Sequence, residues 1–206
     1  MEKVIVWIHI PKTGGKSIFK MLQQKYKTLQ IYETLGGYVY SDDVDEIDDK
    51  IANYYESLPL ETCVRYAKDN GYTAIIGNLV ASEIKTLCDA IYGTSELFCF
   101  LREPIARTVS EYKHNAFHGY AETLFEDFCK RTHNTQWRQT SGDLSLFKFV
   151  GDFKNFQHDM QELGFTIEHE NSSKDRQYVD VDESLAIPYN ELDIELYNSF
   201  KQKATD

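Results

Sequence analysis

Seven consecutive residues, Pro11-Lys12-Thr13-Gly14-Gly15-Lys16-Ser17, combine two glycines, two lysines and two hydroxyl side chains. In such a turn successive backbone N–H groups point inward, and a helix that starts there adds partial positive charge, so the stretch reads as an anion trap. Gly14 and Gly15 leave room for a close approach. Lys12 and Lys16 supply charge, while Thr13 and Ser17 supply hydroxyl donors for non-bridging oxygens.

Gly14-Gly15-Lys16-Ser17 has the ending of the G-x-x-x-x-G-K-[ST] loop of nucleoside triphosphatases, but the first glycine of that pattern falls at Ile10. Pro11 stiffens the place where a triphosphate loop needs flexibility. A kinase of that type also needs a strand ending in a carboxylate to hold Mg²⁺, and the best candidate strand here ends in Leu101-Arg102. An arginine suits a second phosphate and offers a metal nothing. A Mg-ATP kinase is therefore the alternative, and no metal site is expected.

The elements that must position these residues follow from periodicity. Residues 3–10 are almost continuously apolar and β-branched, as in a strand buried on both faces of a parallel sheet. Ile18, Leu22 and Tyr26 recur at helical spacing, which predicts a helix over 16–27 directly after the loop. Further strands are predicted at 29–34, 73–77, 96–101 and 147–152, with helices at 44–58, 60–69, 82–91, 121–131, 153–163 and 191–203. Pro104 fits the first turn of another helix, on which Arg107, Ser110 and His114 share a face distinct from the apolar one. The alternation gives an α/β, P-loop-like three-layer fold: a central, mainly parallel sheet flanked by helices.

The 206 residues are read as one domain, since no linker or internal repeat divides them. The net charge of -11 argues against general affinity for nucleic acid or an anionic membrane. No run of apolar residues is long enough to span a bilayer, and the start of the chain lacks the form of a secretory signal, so a soluble, cytoplasmic protein is expected. Cys63, Cys88, Cys99 and Cys129 show no CxxC spacing and read as reduced, structural thiols. The acidic run over 41–49 lacks the Gly and Glu spacing of an EF-hand and reads as a solvated segment.

His9-Ile10-Pro11-Lys12-Thr13-Gly14-Gly15 followed by Ser17 resembles the 5′-phosphosulfate loop of the sulfotransferases related to heparan sulfate 2-O-sulfotransferase and the Golgi carbohydrate sulfotransferases. The chain departs from that pattern at Lys16, where Thr is usual. A second block, Leu101-Arg102-Glu103-Pro104 with Arg107 and Ser110 beyond it, resembles the family's 3′-phosphate segment. Weaker likeness continues through 134–142, 149–151 and 193–197.

The resemblance implies a cofactor, 3′-phosphoadenosine 5′-phosphosulfate, held by Pro11, Lys12, Thr13, Gly14, Gly15, Lys16 and Ser17 at one end and by Arg102 and Ser110 at the other. It implies that Lys12 donates to the bridging oxygen as the phosphosulfate bond breaks. It also places Asn78, Gln136 and Arg138 near an acceptor that carries a free hydroxyl, on a carbohydrate or small molecule. Relatives carry their general base, a histidine, after the glycine that matches Gly77. Asn78 stands there and takes no proton at a useful pH, so the base stays unassigned among His114, His118, Glu33 and Glu83. A non-catalytic nucleotide-binding module remains a third reading.

Overall fold

The computed structural model describes residues 2–43, 46–47, 50, 57–117, 124–166 and 180–203. Most of the predicted helix over 44–58, half of the acidic run, His118 and the start of the predicted helix over 121–131 lie outside the described residues.

Strand β1 (Glu2–Ile8) runs through the middle of a six-stranded sheet. It is followed by helix α1 (Gly15–Gln23), then β2 (Thr28–Thr34) and β3 (Gly37–Ser41). Helix α2 (Leu60–Asp69), β4 (Ala74–Asn78), α3 (Ala81–Tyr92) and β5 (Gly93–Leu101) complete the first half. Beyond them lie α4 (Pro104–Phe117), α5 (Phe125–Arg131), α6 (Thr135–Thr140), β6 (Phe147–Asp152), α7 (Phe156–Glu162), a 3₁₀ segment (Glu183–Tyr189) and α8 (Glu191–Lys203).

The sheet order is β3-β2-β4-β1-β5-β6, and every pairing is parallel except β2 with β3. Alternation along β1 divides its side chains between two layers. Trp7 joins Ile76, Phe98 and Phe100 under Ile18 and Leu22 of α1. Val4, Val6 and Ile8 face the other way, onto a layer that includes Val64 of α2, Ile84 of α3 and Leu196 of α8. Each such fully buried side chain contributes about 2 kcal/mol of apolar burial. Trp7 stacks on Phe98 with ring centroids 5.6 Å apart, which anchors the central strands to each other.

The chain leaves β4 for β5 by way of α3 on one face and leaves β1 for β2 by way of α1 on the other. The carboxyl ends of β1 and β4 therefore form the point where the connections diverge, the usual place for a ligand in an open α/β sheet.

Among the elements that differ from the periodicity are α1 and β3. Helix α1 stops four residues early, because the Lys27 carbonyl accepts from the N–H groups of Thr73 and Ala74 and draws the chain into the sheet. Strand β3 was not anticipated: it returns antiparallel through Leu35-Gly36 and forms the sheet's edge. Gly37 has φ 143°, and a Cβ there would lie 2.8 Å from the Leu58 carbonyl, so residue 37 must be glycine for the hairpin to pass that segment. Among the described residues no helix is long and apolar enough to cross a membrane.

Candidate functional site

β1 ends at Ile8, and the His9 N–H donates to Gly77 O at 2.7 Å, so the loop begins locked to the end of β4. Ile10 is fully buried, and its carbonyl accepts both the N–H (3.2 Å) and the hydroxyl (2.7 Å) of Thr13. Thr13 itself is fully buried. The expected hydroxyl donor to a ligand is therefore spent on closing the turn, and this corrects its role: Thr13 shapes the cradle from beneath.

Lys12 (φ 70°) and Gly14 (φ 86°) are both left-handed, which makes the loop compact enough for α1 to start at Gly15. The left-handed backbone at Lys12 costs about 1–2 kcal/mol relative to an ordinary conformation. No side chain caps α1, and its first turn has no acidic residue. The helix dipole makes this end of α1 attractive to an anion. A Cβ on Gly15 would lie 2.2 Å from His9 Nε2, and one on Gly14 would lie 3.2 Å from the Phe156 ring. Gly15 is thus fixed by its close neighbour, and Gly14 by its left-handed backbone and the nearby ring. Lys16 is exposed and Ser17 half-buried at the mouth.

Arg102 emerges from the carboxyl end of β5, the strand between β1 and the edge strand β6. Its Nη1 donates to the Lys12 carbonyl at 3.0 Å and to Ser110 Oγ at 3.3 Å, and its guanidinium lies over the Phe153 ring with 5.3 Å to the centroid. Three residues far apart in sequence meet through that one side chain. Burial, then the charge of Arg107, pushes the Arg102 guanidinium down from its ordinary value, opposed by Glu103. An anion placed there would relieve that penalty.

Spacing puts Arg107 on one polar face with Ser110 and His114, but the structure separates them. Arg107 is fully buried, paired with Glu111 and donating to Thr108 Oγ1 at 2.9 Å, because the 3₁₀ segment and α8 cover that side of α4. Ser110 turns to Arg102 instead, and His114 stands half-buried one turn farther along.

Gln136 is also corrected. It is fully buried; its Oε1 accepts from the Arg102 N–H and its Nε2 donates to the Arg102 carbonyl, both at 2.9 Å. An acceptor molecule cannot reach it. Arg138 is exposed on the same short helix beside the exposed Trp137, free of that restriction.

The end of β4 shapes the other flank. Gly77 admits no side chain, since a Cβ would fall 1.7 Å from the Ile31 carbonyl. Asn78 follows it, level with Tyr32 of β2, and its Oδ1 is buried with no hydrogen-bond partner among the described residues. His9 Nδ1 and the Tyr32 hydroxyl are 2.8 Å apart. Burial, then the charge of Lys12, lowers the His9 pKa to about 4, so the imidazole is neutral at physiological pH. On the opposite face, exposed Glu33 and Glu83 flank Tyr38; after burial, these two carboxylates push its phenol up to about 12.

The model of the sulfotransferase family matches residues 1–182. The chain belongs to the sulfotransferase family. No curated protein sequence matches this sulfotransferase-family chain. Among solved structures it is similar to the crystal structure of a sulfotransferase from Alicyclobacillus acidocaldarius, with 13% sequence identity, a TM-score of 0.52, and 95% of this chain and 96% of that chain covered. That likeness shows the fold, a mainly parallel α/β sheet between helices, as the strand pattern predicts.

Several contacts that build the site could not be read from the residues that carry the resemblance. The His9–Tyr32 pair, the Phe153 and Phe156 walls and buried Asp193 all became visible only in three dimensions. For Tyr32, strand parity was the available signal, because it sits at the end of β2 on the face of α1. Among the described residues no group of three His, Cys, Asp or Glu side chains is placed to hold a metal ion.

Proposed function

We propose that this sulfotransferase-family chain moves a sulfuryl group from 3′-phosphoadenosine 5′-phosphosulfate to an acceptor hydroxyl. The observation that carries this reading is the Arg102 side chain, which joins the Lys12 carbonyl to Ser110 and so places a second anion-binding group beside the loop at one end of the sheet. Two phosphate-binding centres on a common rim suit a nucleotide bearing phosphates on both its 3′ and 5′ positions.

The residues fit that ligand. The first-turn N–H groups of α1, with Lys16 and Ser17, would hold the 5′ end, where the glycines keep side chains out of the cradle. Arg102 and Ser110 would hold the 3′-phosphate. The cofactor supplies an activated sulfuryl group. Lys12 would donate to the bridging oxygen, where charge develops as the bond to sulfur breaks.

Asn78 has an unpaired oxygen at the end of β4 and would accept a hydrogen bond from the acceptor's hydroxyl. Of the four base candidates, Glu33 and Glu83 stand together beside Tyr38, beyond the carboxyl end of β4. These carboxylates and the net charge of -11 favour a neutral or weakly charged carbohydrate or small molecule as acceptor. We also place the protein in the cytoplasm, where its four free, buried cysteines stay reduced.

Thermal denaturation with adenosine 3′,5′-bisphosphate, in the absence of metal, tests the reading. At 100 times its dissociation constant the ligand should stabilise the chain by about 2.7 kcal/mol. ATP with Mg²⁺ should give a smaller shift. No shift with the bisphosphate, or a larger one with Mg-ATP, overturns the proposal; saturable binding without sulfuryl transfer across a wide acceptor panel would leave only a nucleotide-binding module.

A further inference from the structure

Arg102 lies just past the last residue of β5, where the sheet no longer pairs its backbone. Its N–H and carbonyl are instead both taken by the side-chain amide of Gln136. A two-point grip on either side of one α-carbon fixes the direction in which the Arg102 side chain departs. Because Gln136 is fully buried, water does not compete for that grip.

Gln136 is itself held from the C-terminal helix. Asp193, fully buried in the first turn of α8, accepts from the N–H groups of Gln136 (3.1 Å) and Trp137 (2.7 Å). In return Asn134 Oδ1, at the start of α6, accepts from the N–H groups of Leu192 (3.0 Å) and Asp193 (3.3 Å). Two helix starts thus cap each other, each satisfying the orphan donors of its partner. The carboxylate sits near Arg107, whose charge and these two N–H donors offset part of its burial cost. Asn190, next to α8, also accepts from Thr108 on α4 at 3.2 Å, so the helix that carries Ser110 is tied to the same segment.

We propose that Gln136 and Asp193 are positioning residues for Arg102, and that α8 is for this reason part of the 3′-phosphate site although it lies beyond the last residue matched by the family model. The proposal rests on the reading of Arg102 as the group that holds a 3′-phosphate. A Gln136 or Asp193 that served only the stability of the fold would weaken every ligand alike. A positioning role weakens the ligand that Arg102 reads and spares one that lacks the 3′-phosphate.

Isothermal titration of the full chain with adenosine 3′,5′-bisphosphate and with adenosine 5′-monophosphate separates these cases. The unmodified chain should prefer the bisphosphate; equal affinity would overturn the assignment of Arg102 itself, and the inference with it. Gln136→Met keeps the side chain's length and removes both bonds to Arg102. It should reduce that preference about tenfold or more, the loss expected when a charge-assisted contact is misaligned, with affinity for the monophosphate held within about twofold. A preserved preference, or a parallel loss for both ligands, overturns the proposal. Should Gln136→Met fail to fold, Asp193→Asn decides by the same ratio, since it preserves shape but sets an amide N–H against one of the two backbone donors.

Discussion

The two ends of the candidate nucleotide site are built in opposite ways. The loop end is made by neighbours in sequence: Ile10 closes the turn on Thr13, Gly14 starts α1, and His9 packs beneath Gly15. The Arg102 end is assembled from residues scattered over β5, α4, α6 and α8. The first is rigid because its backbone has nowhere else to go, the second because side chains far apart in the chain satisfy one another's donors. The loop end should therefore fail through local changes of shape and charge, and the Arg102 end through loss of distant contacts.

The sharpest break concerns chemistry at the loop end. Lys12→Ala should raise the barrier to sulfuryl transfer by about 3 kcal/mol, roughly a hundredfold in rate. Titration should show adenosine 3′,5′-bisphosphate still bound, because the helix N-terminus and Arg102 remain. Undiminished transfer by that variant would remove Lys12 from the proposed role.

A second contrast is in the response to acid. His9 has its folded-state pKa lowered to about 4 from an ordinary 6.5. Below the ordinary value the unfolded chain takes up a proton that the folded chain resists, so this contribution to stability is present above pH 6.5 and declines as pH falls towards 4. The full loss is about 3 kcal/mol. Urea denaturation at a series of pH values should show the decline, and His9→Gln should flatten it. Bound bisphosphate should make the decline smaller, because it offsets the Lys12 charge that helps keep the imidazole neutral and so brings the folded-state pKa closer to the unfolded one. An unaltered slope in His9→Gln would assign the acid sensitivity elsewhere.

The smallest effect belongs to the Arg102 end. Ser110→Ala removes one acceptor from the Arg102 guanidinium and one hydroxyl from the proposed phosphate site. It should cost about 1 kcal/mol, or roughly fivefold, in bisphosphate affinity. Competition binding against the unmodified chain measures it. A loss as large as that of Gln136→Met would mean that the hydroxyl matters as much as the direction of the arginine.

How much of this was legible in the sequence follows the same division. The strand 3–10, the loop and the helix after it could be read directly, since apolar runs, glycines and i,i+4 spacing are local signals. The mainly parallel character of the sheet follows from the same alternation, whereas the order of its strands is set by which connections cross over. Strand β3 escaped because Gly37-Tyr38-Val39-Tyr40-Ser41 is short and leads into the acidic run, and only its pairing with β2 and Leu58 defines it. Arg107 looked like part of a binding face because helical spacing says which residues share a side, not what covers that side. Family resemblance placed Gln136 near an acceptor, yet its partner is the protein's own backbone at Arg102. Asp193 opened the last stretch of weak family likeness, but nothing local indicates that its carboxylate serves a different helix.

All four cysteines are free and buried within the sheet and its covering helices. Burial pushes the thiols up, to about 11 at Cys63 and Cys129 and about 12 at Cys88, with Cys99 also raised. The folded protein is consequently a quiet background for thiol chemistry. A single cysteine introduced at exposed Arg138 would be the accessible thiol, and a fluorophore or photo-crosslinker attached there would report from the rim where an acceptor is proposed to arrive.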